Sequence, residues 1–196
     1  MTAEHAPALM AALDDDRVWA GGFGGGPEGR PRDVEGMRDV VSRALRARAA
    51  GTRVPYVVRL LDDEVVGTTS LGDWSLPDER VHLGWTAYGP AWWGTVVNAE
   101  CKLLLLGHAF RDCGFGRVKI QTDAVNARSQ AAIERLGAVR EGVLRRHQRR
   151  ADGSFRDTVV YSILSDEWPD VERRLQDRLL QHMSATKASS PPPDRA

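Results

Sequence analysis

Cysteine and long apolar runs are both scarce in this chain of 196 residues. The two cysteines, Cys101 and Cys113, are too few for a disulfide framework or a structural zinc site, so we expect reduced thiols and no bound metal. No apolar run approaches the roughly 20 residues that a helix needs to cross a bilayer, and the leucine run at 103–106 is far shorter. These absences argue against a disulfide-stapled, zinc-held or membrane-spanning protein.

An excess of charge of either sign is also missing. The chain carries 27 Lys plus Arg and 27 Asp plus Glu, which gives a formal net charge of zero. Bulk electrostatic binding to nucleic acid or to an anionic membrane needs a basic excess, so we expect neither partner. Lysine occurs only at positions 102, 119 and 187, and we attribute the preference for arginine to a GC-rich genome. The N-terminal segment lacks the layout of a signal peptide, which favours a cytoplasmic protein.

What is present is typical of a soluble globular domain. Apolar residues make up 42% of the chain and charged residues 28%, and the length suits one domain. We expect that domain over residues 1–183, followed by a disordered C-terminal tail at 184–196 that includes the run Ser-Ser-Pro-Pro-Pro.

Apolar periodicity along the chain indicates alternating helices and strands. A glycine-rich loop at 21–27 separates the first two helices, and Gly84 inside the third strand predicts a β-bulge. The predicted order is helices at 3–20 and 33–50, strands at 54–61, 65–71 and 81–88, a helix at 95–112, a strand at 118–122, a helix at 126–136, strands at 138–147 and 157–164, and a helix at 166–183.

Five segments resemble a known family when they are taken in order and with their spacing. They are Tyr88–Thr95, Asn98–Phe110, Thr122–Ser129, Glu134–Gly137 and Arg156–Ser162. Each segment is weak alone, but together they resemble the GNAT acetyltransferases of the RimJ/RimL type, over about residues 5–180. The resemblance implies an α/β (α+β) GNAT fold, with a mixed, mostly antiparallel sheet, splayed central strands, helices on both faces, and acetyl-CoA in the V between the splayed strands. Because a helical pattern begins a few residues after Met1, we expect the family's first strand to be missing.

The family also implies an activity. It predicts an N-acetyltransferase that moves the acetyl group of acetyl-CoA to a primary amine, either a protein N-terminus or a small molecule, by direct attack in a ternary complex. An alternative is a non-catalytic GNAT-like module that binds acyl-CoA or another ligand. The departures of this sequence from the family pattern are the motive for that alternative.

The clearest departure lies in the phosphate loop. The family usually has Gln or Arg, two residues, Gly, one residue, then Gly or Ala, and the matching positions are Ala91, Gly94 and Val96. Only Gly94 fits, and Val96 brings a β-branched side chain where backbone N–H groups should approach a pyrophosphate. The coenzyme-binding residues that the resemblance implies are Trp93, Gly94, Thr95, Val96, Asn98, Asn126 and Ser129.

Asn126 and Ser129 open the predicted helix at 126–136. Asn126 is interpreted as a helix N-cap, as a contact to the coenzyme, or as both. Many relatives carry a Tyr that protonates the leaving thiolate, but Ile133 stands at that position here. Ser129 is therefore our candidate proton donor, and the alternative is a first-turn polar residue that satisfies a free N–H.

The base for the reaction is less well marked. His147 lies on a strand that flanks the expected acceptor site and is our candidate base or substrate contact; the alternative is a strand histidine among arginines. His82 and Glu79 are further candidates. Cys101, on an apolar helix, is not expected to carry an acyl group.

The sequence leaves three features without a single interpretation: an arginine cluster, a set of tryptophans and the oligomeric state. Four arginines at 145, 146, 149 and 150 form either a solvated hairpin or a site for an anionic acceptor or coenzyme phosphate. One or two of the tryptophans at 74, 85, 92 and 93 are expected to wall the acceptor pocket. Strand edges and the last helix make a homodimer an expectation, although no spacing demands it.

Overall fold

A computed structural model describes residues 1–189 of the chain, with side chains through residue 184. The α-helices of this part are α1 (Ala6–Leu13), α2 (Asp16–Ala20), α3 (Val34–Ala49), α4 (Val97–Gly107), α5 (Ala127–Leu136) and α6 (Trp168–Ser189). The strands are β1 (Arg53–Arg59), β2 (Val65–Ser75), β3 (Arg80–Tyr88), β4 (Arg117–Asp123), β5 (Val139–Arg149) and β6 (Phe155–Leu164).

The strands form one sheet in the order β1-β2-β3-β4-β6-β5. All neighbours are antiparallel except β3 and β4, which run parallel. The predicted mixed, mostly antiparallel sheet is therefore confirmed. Within residues 1–189 no strand precedes β1, as the sequence predicted.

Helices cover both faces of the sheet, because neighbouring side chains of a strand point to opposite faces. Val57 of β1 packs in a hydrophobic cluster with α1, α2 and α3, whereas the next residue, Val58, packs with Val97 of α4. A third cluster packs α4, α5 and α6 against the middle of the sheet.

The parallel strands β3 and β4 pair only at one end. Their ladder runs from Arg80 opposite Arg117 to His82 opposite Lys119, and beyond it the strands diverge. On the other side of β3 the register shifts between the Ser70–Gly84 and Thr68–Ala87 pairs. The predicted bulge and the predicted splay are thus confirmed, and they occur at the same part of β3.

Two predicted helix boundaries were wrong. The helix predicted at 3–20 is broken, because the Asp15 carboxylate accepts a 2.9 Å hydrogen bond from the Arg17 N–H and so starts a new helix, α2. The last helix does not end at 183 but continues to Ser189, because residues 184–189 contain neither Gly nor Pro to stop it. The rest of the predicted tail, 190–196, lies outside the described residues. No helix in the described part is long and apolar enough to cross a bilayer.

Candidate active site

The divergence of β3 and β4 opens a cleft of about 440 Å³. Most of its lining comes from β3, β4, α4, α5 and the glycine-rich loop at 21–25, and β2, β5 and β6 each add one residue. Of the site residues predicted from the sequence, Trp93, Gly94, Asn98, Asn126 and Ser129 line this cleft. The structure therefore brings most of them together around one space.

Gly94 lies in the loop before α4. Its φ is +77°, a left-handed conformation that favours glycine, and a Cβ at this position would meet nothing within 4 Å. The N-cap residue of α4, Val96, makes no side-chain hydrogen bond to the helix N-terminus. Open space at Gly94 and the start of a helix dipole together fit a phosphate group.

Two further predicted coenzyme contacts, Thr95 and Val96, are not among the residues that line the cleft. The Thr95 hydroxyl donates to the Trp92 carbonyl at 2.8 Å and accepts from the Val97 N–H at 3.3 Å. Thr95 therefore closes the turn. The Val96 side chain, which the sequence marked as an obstacle to phosphate, does not stand in the cleft.

A cation that the sequence did not single out stands beside this loop. The Arg128 guanidinium lies 3.1 Å from the centroid of the Trp93 ring, and the Arg17 guanidinium lies 5.7 Å from the same ring. Arg17 pairs with Asp15, but within residues 1–189 Arg128 makes no ion pair. Burial, with the nearby Arg17 charge, lowers the pKa of Arg128. Arg128 also lines the cleft, so it is placed to receive an anion there.

The start of α5 is held by Asn126. Its Oδ1 accepts a 3.0 Å hydrogen bond from the Ser129 N–H, which confirms the predicted N-cap. Its Nδ2 donates at 2.8 Å to the Gly21 carbonyl of the glycine-rich loop. Ser129 is half-buried at the cleft wall, and Ile133, at the position of the family's Tyr, is buried beside it.

The glycine-rich loop packs tightly over one end of the cleft. A Cβ at Gly22, where φ is +90°, would lie 2.9 Å from the Asp123 carboxylate, so a side chain cannot be added there without a shift. The Gly25 carbonyl accepts a 2.9 Å hydrogen bond from the Ala151 N–H of the β5–β6 turn. Glycine is thus needed for close packing as well as for flexibility.

Asp123 beneath this loop forms a buried ion pair with Arg150. Arg150 Nη2 lies 2.7 Å from Asp123 Oδ2, and the Asp123 side chain is 1% exposed. The Arg146 and Arg149 guanidinium groups lie instead 4.2 and 4.6 Å from the centroid of the Phe155 ring. The arginine run therefore forms no single patch, and one of its members is structural.

His147, the predicted base, does not line the cleft. Its side chain is exposed in a shallow surface pocket with Val143 and Leu144, and the next residue, Gln148, lines the cleft instead. The β5–β6 register shifts between Leu144 and Gln148, and Arg146 has a φ of +49°. This irregularity sets which side chains point inward, and it cannot be found from strand alternation alone.

His82, a further candidate base from the sequence, does line the cleft. The residue is 3% exposed and lies where β3 and β4 part. Its Nδ1 lies 3.4 Å from Asp73 Oδ2, and its buried Nε2 makes no hydrogen bond to any residue that the structure describes. Burial lowers the pKa of His82, and the Asp73 carboxylate partly offsets this. An Nδ1–H donated to Asp73 leaves a neutral ring with its lone pair on Nε2.

The environment of His82 also explains the glycine and the tryptophan of the bulge. A Cβ at Gly84 would lie 2.4 Å from His82 Nε2, so only glycine leaves room for the ring. Trp85, at a φ of +51°, places its ring centroid 4.7 Å from that of His82. Trp85, Trp92 and Trp93 line the cleft, whereas Trp74 packs against the hydrophobic core.

Two titratable groups on α4 complete the site. Lys102 is buried, lines the cleft, and donates a 3.4 Å hydrogen bond from Nζ to Thr86 Oγ1, and burial lowers its pKa to about 8. Burial raises the pKa of the Cys101 thiol, which keeps it protonated and argues against a nucleophilic role. Within residues 1–189, no group of three or more His, Cys, Asp or Glu side chains is placed to hold a metal ion.

Comparison with known sequences places this fold and cleft in a family. Residues 1–139 match the family described as the acetyltransferase (GNAT) domain, and the chain belongs to that family. It is 28% identical over 138 residues to YdaF of Bacillus subtilis (strain 168), which carries the name of a ribosomal N-acetyltransferase. That match covers 70% of this chain and 74% of the relative.

Solved structures of acetyltransferases share the fold of this chain. A structure from T. thermophilus, described as that of an acetyltransferase, has 38% sequence identity and a TM-score of 0.81, with 91% of this chain and 90% of that chain covered. The structure of Mycobacterium smegmatis RimJ in complex with CoA-disulfide has 21% identity and a TM-score of 0.76, with 91% and 86% covered, and shows the likeness of fold. The resemblance to RimJ/RimL-type GNAT proteins that the sequence predicted is confirmed.

Proposed function

We propose that this chain is an acetyl-CoA-dependent N-acetyltransferase that acts on a primary amine by direct attack in a ternary complex. The observation that carries the proposal is the placement of Gly94 and the start of α4 on one wall of the cleft and of a neutral His82 on another. The acceptor is a protein N-terminus or a small-molecule amine, and the name of YdaF, a ribosomal N-acetyltransferase, supports the former.

The residues of the cleft fit the coenzyme. The open left-handed turn at Gly94 and the α4 N-terminus are suited to its phosphates, and Arg128 adds a cation that forms no ion pair with the part of the chain that the structure describes. Asn98, Asn126 and Ser129 line the path from this loop into the cleft. Bound acetyl-CoA supplies the thioester, and the chain supplies its position and the movement of protons.

Two side chains, His82 and Ser129, transfer protons in the proposed reaction. An amine that arrives protonated must lose a proton before it can attack, and His82 Nε2, held by Asp73 through Nδ1, is the acceptor. The Ser129 hydroxyl donates a proton to the departing sulfur. A backbone N–H at the bulge around Trp85 stabilises the negative charge on the carbonyl oxygen.

Acetyl-CoA binding and transfer are tested separately. A ligand at about 100 times its dissociation constant adds about 2.7 kcal/mol to the free energy of unfolding, so acetyl-CoA should raise the melting temperature. A free-thiol assay with N-terminal peptides and small amines should then show release of CoA. Stabilisation without thiol release from any amine would favour the non-catalytic module, and no stabilisation at millimolar acetyl-CoA would contradict both the enzyme and an acetyl-CoA-binding module.

A pair of histidine variants tests the base. His82→Gln keeps a polar side chain but cannot take a proton, and we expect turnover to fall by about 10²- to 10⁴-fold. His147→Asn is the matched control, because His147 is exposed outside the cleft, and it should keep wild-type turnover. The assignment is wrong if His147→Asn loses activity while His82→Gln retains it.

The proposal extends to location and assembly. Two unpaired cysteines and a zero net charge support a cytoplasmic enzyme with no nucleic-acid or membrane partner. The edge strand β5 exposes Val139, Val143 and Leu144, which supports a homodimer. Light scattering on the purified chain tests the dimer, and a monomer mass at micromolar concentration would contradict it.

A further inference from the structure

Lys102 is an unusual residue for this chain. Lysine fills only three of its 27 basic positions, yet one of them is buried at 6% exposure in the cleft, with no ion pair among residues 1–189. Arginine stays charged under all ordinary conditions, whereas lysine can lose its proton when it is buried. A buried amine that can become neutral is a nucleophile as well as a cation.

The Lys102 amine is fixed close to the bulge of β3. Its Nζ donates to Thr86 Oγ1, which in turn lies 2.8 Å from Thr69 Oγ1. Thr86 follows Trp85, whose left-handed backbone marks the bulge. Lys102 lies five positions after Val97, which places its backbone about 7.5 Å along α4 from the helix N-terminus. Gly94, just before that N-terminus, and Lys102 line the same cleft, so an acyl-CoA with its phosphates at the N-terminus would share the cleft with this amine.

We propose that Lys102 is a self-acylation site, which takes the acyl group of a bound acyl-CoA when no acceptor amine occupies the cleft. This inference rests on the proposed function. The Nζ lone pair forms a bond to the acyl carbon while the carbon–sulfur bond breaks, and the sulfur keeps the electron pair of that bond. The proton lost from the nitrogen passes to the released thiolate. The products are Nζ-acetyl-lysine and the free thiol of CoA.

The surroundings of Lys102 favour both the reaction and its product. Burial lowers the pKa of Lys102 to about 8, so a large share of the amine is neutral near that pH. An ordinary lysine, with a pKa of about 10.4, is almost wholly charged there. Acylation replaces a buried cation, for which the described residues supply no counter-ion, with a neutral amide, which removes the cost of burying a charge. The amide would also narrow the cleft and hinder the next coenzyme.

The small number of amines makes a direct experiment possible. The chain carries only Lys102, Lys119, Lys187 and the α-amino group of Met1. The purified full chain is incubated at pH 8 with acetyl-CoA and no acceptor, and each amine is followed over time by peptide mass spectrometry. We expect Lys102 to be acetylated roughly tenfold or more faster than Lys119, because binding holds the reactants together. Excess CoA, which competes for the cleft, should slow the acetylation of Lys102 but not that of the other amines.

The variant Gly94→Val tests whether the reaction needs the bound coenzyme, because it alters the turn that holds the coenzyme and leaves every amine in place. It should protect Lys102 while Lys119 reacts at its ordinary rate. Equal rates at all the amines, or no protection by CoA, would show simple solution chemistry and overturn the inference. An unmodified Lys102 in a chain that acetyl-CoA does stabilise against heat overturns the inference alone. Failure of acetyl-CoA to stabilise the chain overturns the proposed function, and this inference with it.

Discussion

The side-chain amide of Asn126 donates a 2.8 Å hydrogen bond to the carbonyl oxygen of Gly21, which lies 105 residues earlier in the chain. The same side chain accepts from the Ser129 N–H through Oδ1. One residue thus starts helix α5 and ties the glycine-rich loop to it. The approach is close, because a Cβ on Gly21 would lie 2.5 Å from Asn126 Nδ2. Asn126 therefore couples the helix that carries Ser129 to the loop over the cleft.

Substitutions at Asn126 separate these two bonds. Asn126→Asp keeps the capping oxygen but loses the donor to Gly21, whereas Asn126→Ala loses both. We expect Asn126→Ala to lower the free energy of unfolding by about 1 kcal/mol for the cap, plus about 0.5–1.5 kcal/mol for the loop bond. Asn126→Asp should lose less stability. Urea denaturation measures both variants, and acetyl-CoA affinity should fall in each. Wild-type affinity in Asn126→Asp would show that the loop bond does not support the coenzyme site.

Gly94 is expected to be essential for the coenzyme. Gly94→Val forces a β-branched residue into a left-handed turn and puts a side chain where phosphate should approach, so acetyl-CoA binding should be lost. Gly114→Val is the matched control, because Gly114 also has a positive φ, +69°, with nothing within 4 Å of a Cβ, and does not line the cleft. Both variants should lose about 1–2 kcal/mol of stability from backbone strain. Equal acetyl-CoA binding by the two variants, measured by calorimetry, would place the coenzyme elsewhere.

Val96 should not limit coenzyme binding. Its side chain does not line the cleft, so Val96→Gly should leave acetyl-CoA affinity within about twofold of wild type. Glycine has a low helix propensity, and the comparison allows for the loss of stability that this causes at the start of α4. The measurement is the same calorimetric titration. A large gain in affinity would mean that the valine does obstruct the phosphate loop.

Ser129→Ala should slow the chemical step without weakening the coenzyme complex. A hydroxyl that relays a proton sits at the low end of general acid catalysis, so we expect turnover to fall roughly tenfold to a hundredfold. That corresponds to about 1.4–2.7 kcal/mol of barrier. Stopped-flow kinetics under single-turnover conditions isolates this step. Full turnover in the variant would leave the Ser129 hydroxyl with a structural role only.

Stability should depend on pH through His82. Burial lowers its pKa below the usual 6.5, although Asp73 opposes this and the Lys119 and Lys102 charges add to it. Between the folded pKa and about 6.5 the unfolded chain binds a proton that the folded chain does not, so stability falls as the pH drops below about 6.5. His82→Gln should flatten that part of the profile of unfolding free energy against pH. His147→Asn is the control at an exposed position: slight desolvation and the Arg156 and Lys119 charges lower the pKa of His147 too, so this variant should flatten the profile less than His82→Gln does. An unchanged slope in His82→Gln would contradict this account.

Much of the fold followed from local patterns. The order of strands and helices, the bulge at Gly84, the cap at Asn126 and the turn at Gly94 all depend on the preferences of a few adjacent residues, which a sequence displays directly. Two helix boundaries were missed because each is decided within one turn. A capping hydrogen bond at Asp15 starts a new helix, and the lack of a residue that stops the helix lets α6 continue to Ser189.

Short motifs and their spacing in the sequence carried the resemblance to the family, and that resemblance implied the mixed sheet and five of the residues that line the cleft, namely Trp93, Gly94, Asn98, Asn126 and Ser129. Only the tertiary structure decided which histidine enters the cleft, since a register shift in β5 turns His147 outward while the parting of β3 and β4 encloses His82 beside Asp73. It also decided that Arg150 pairs with Asp123 and that Lys102 is buried. Burial and charge pairing arise between residues far apart in the chain, and a single sequence carries no record of those distances.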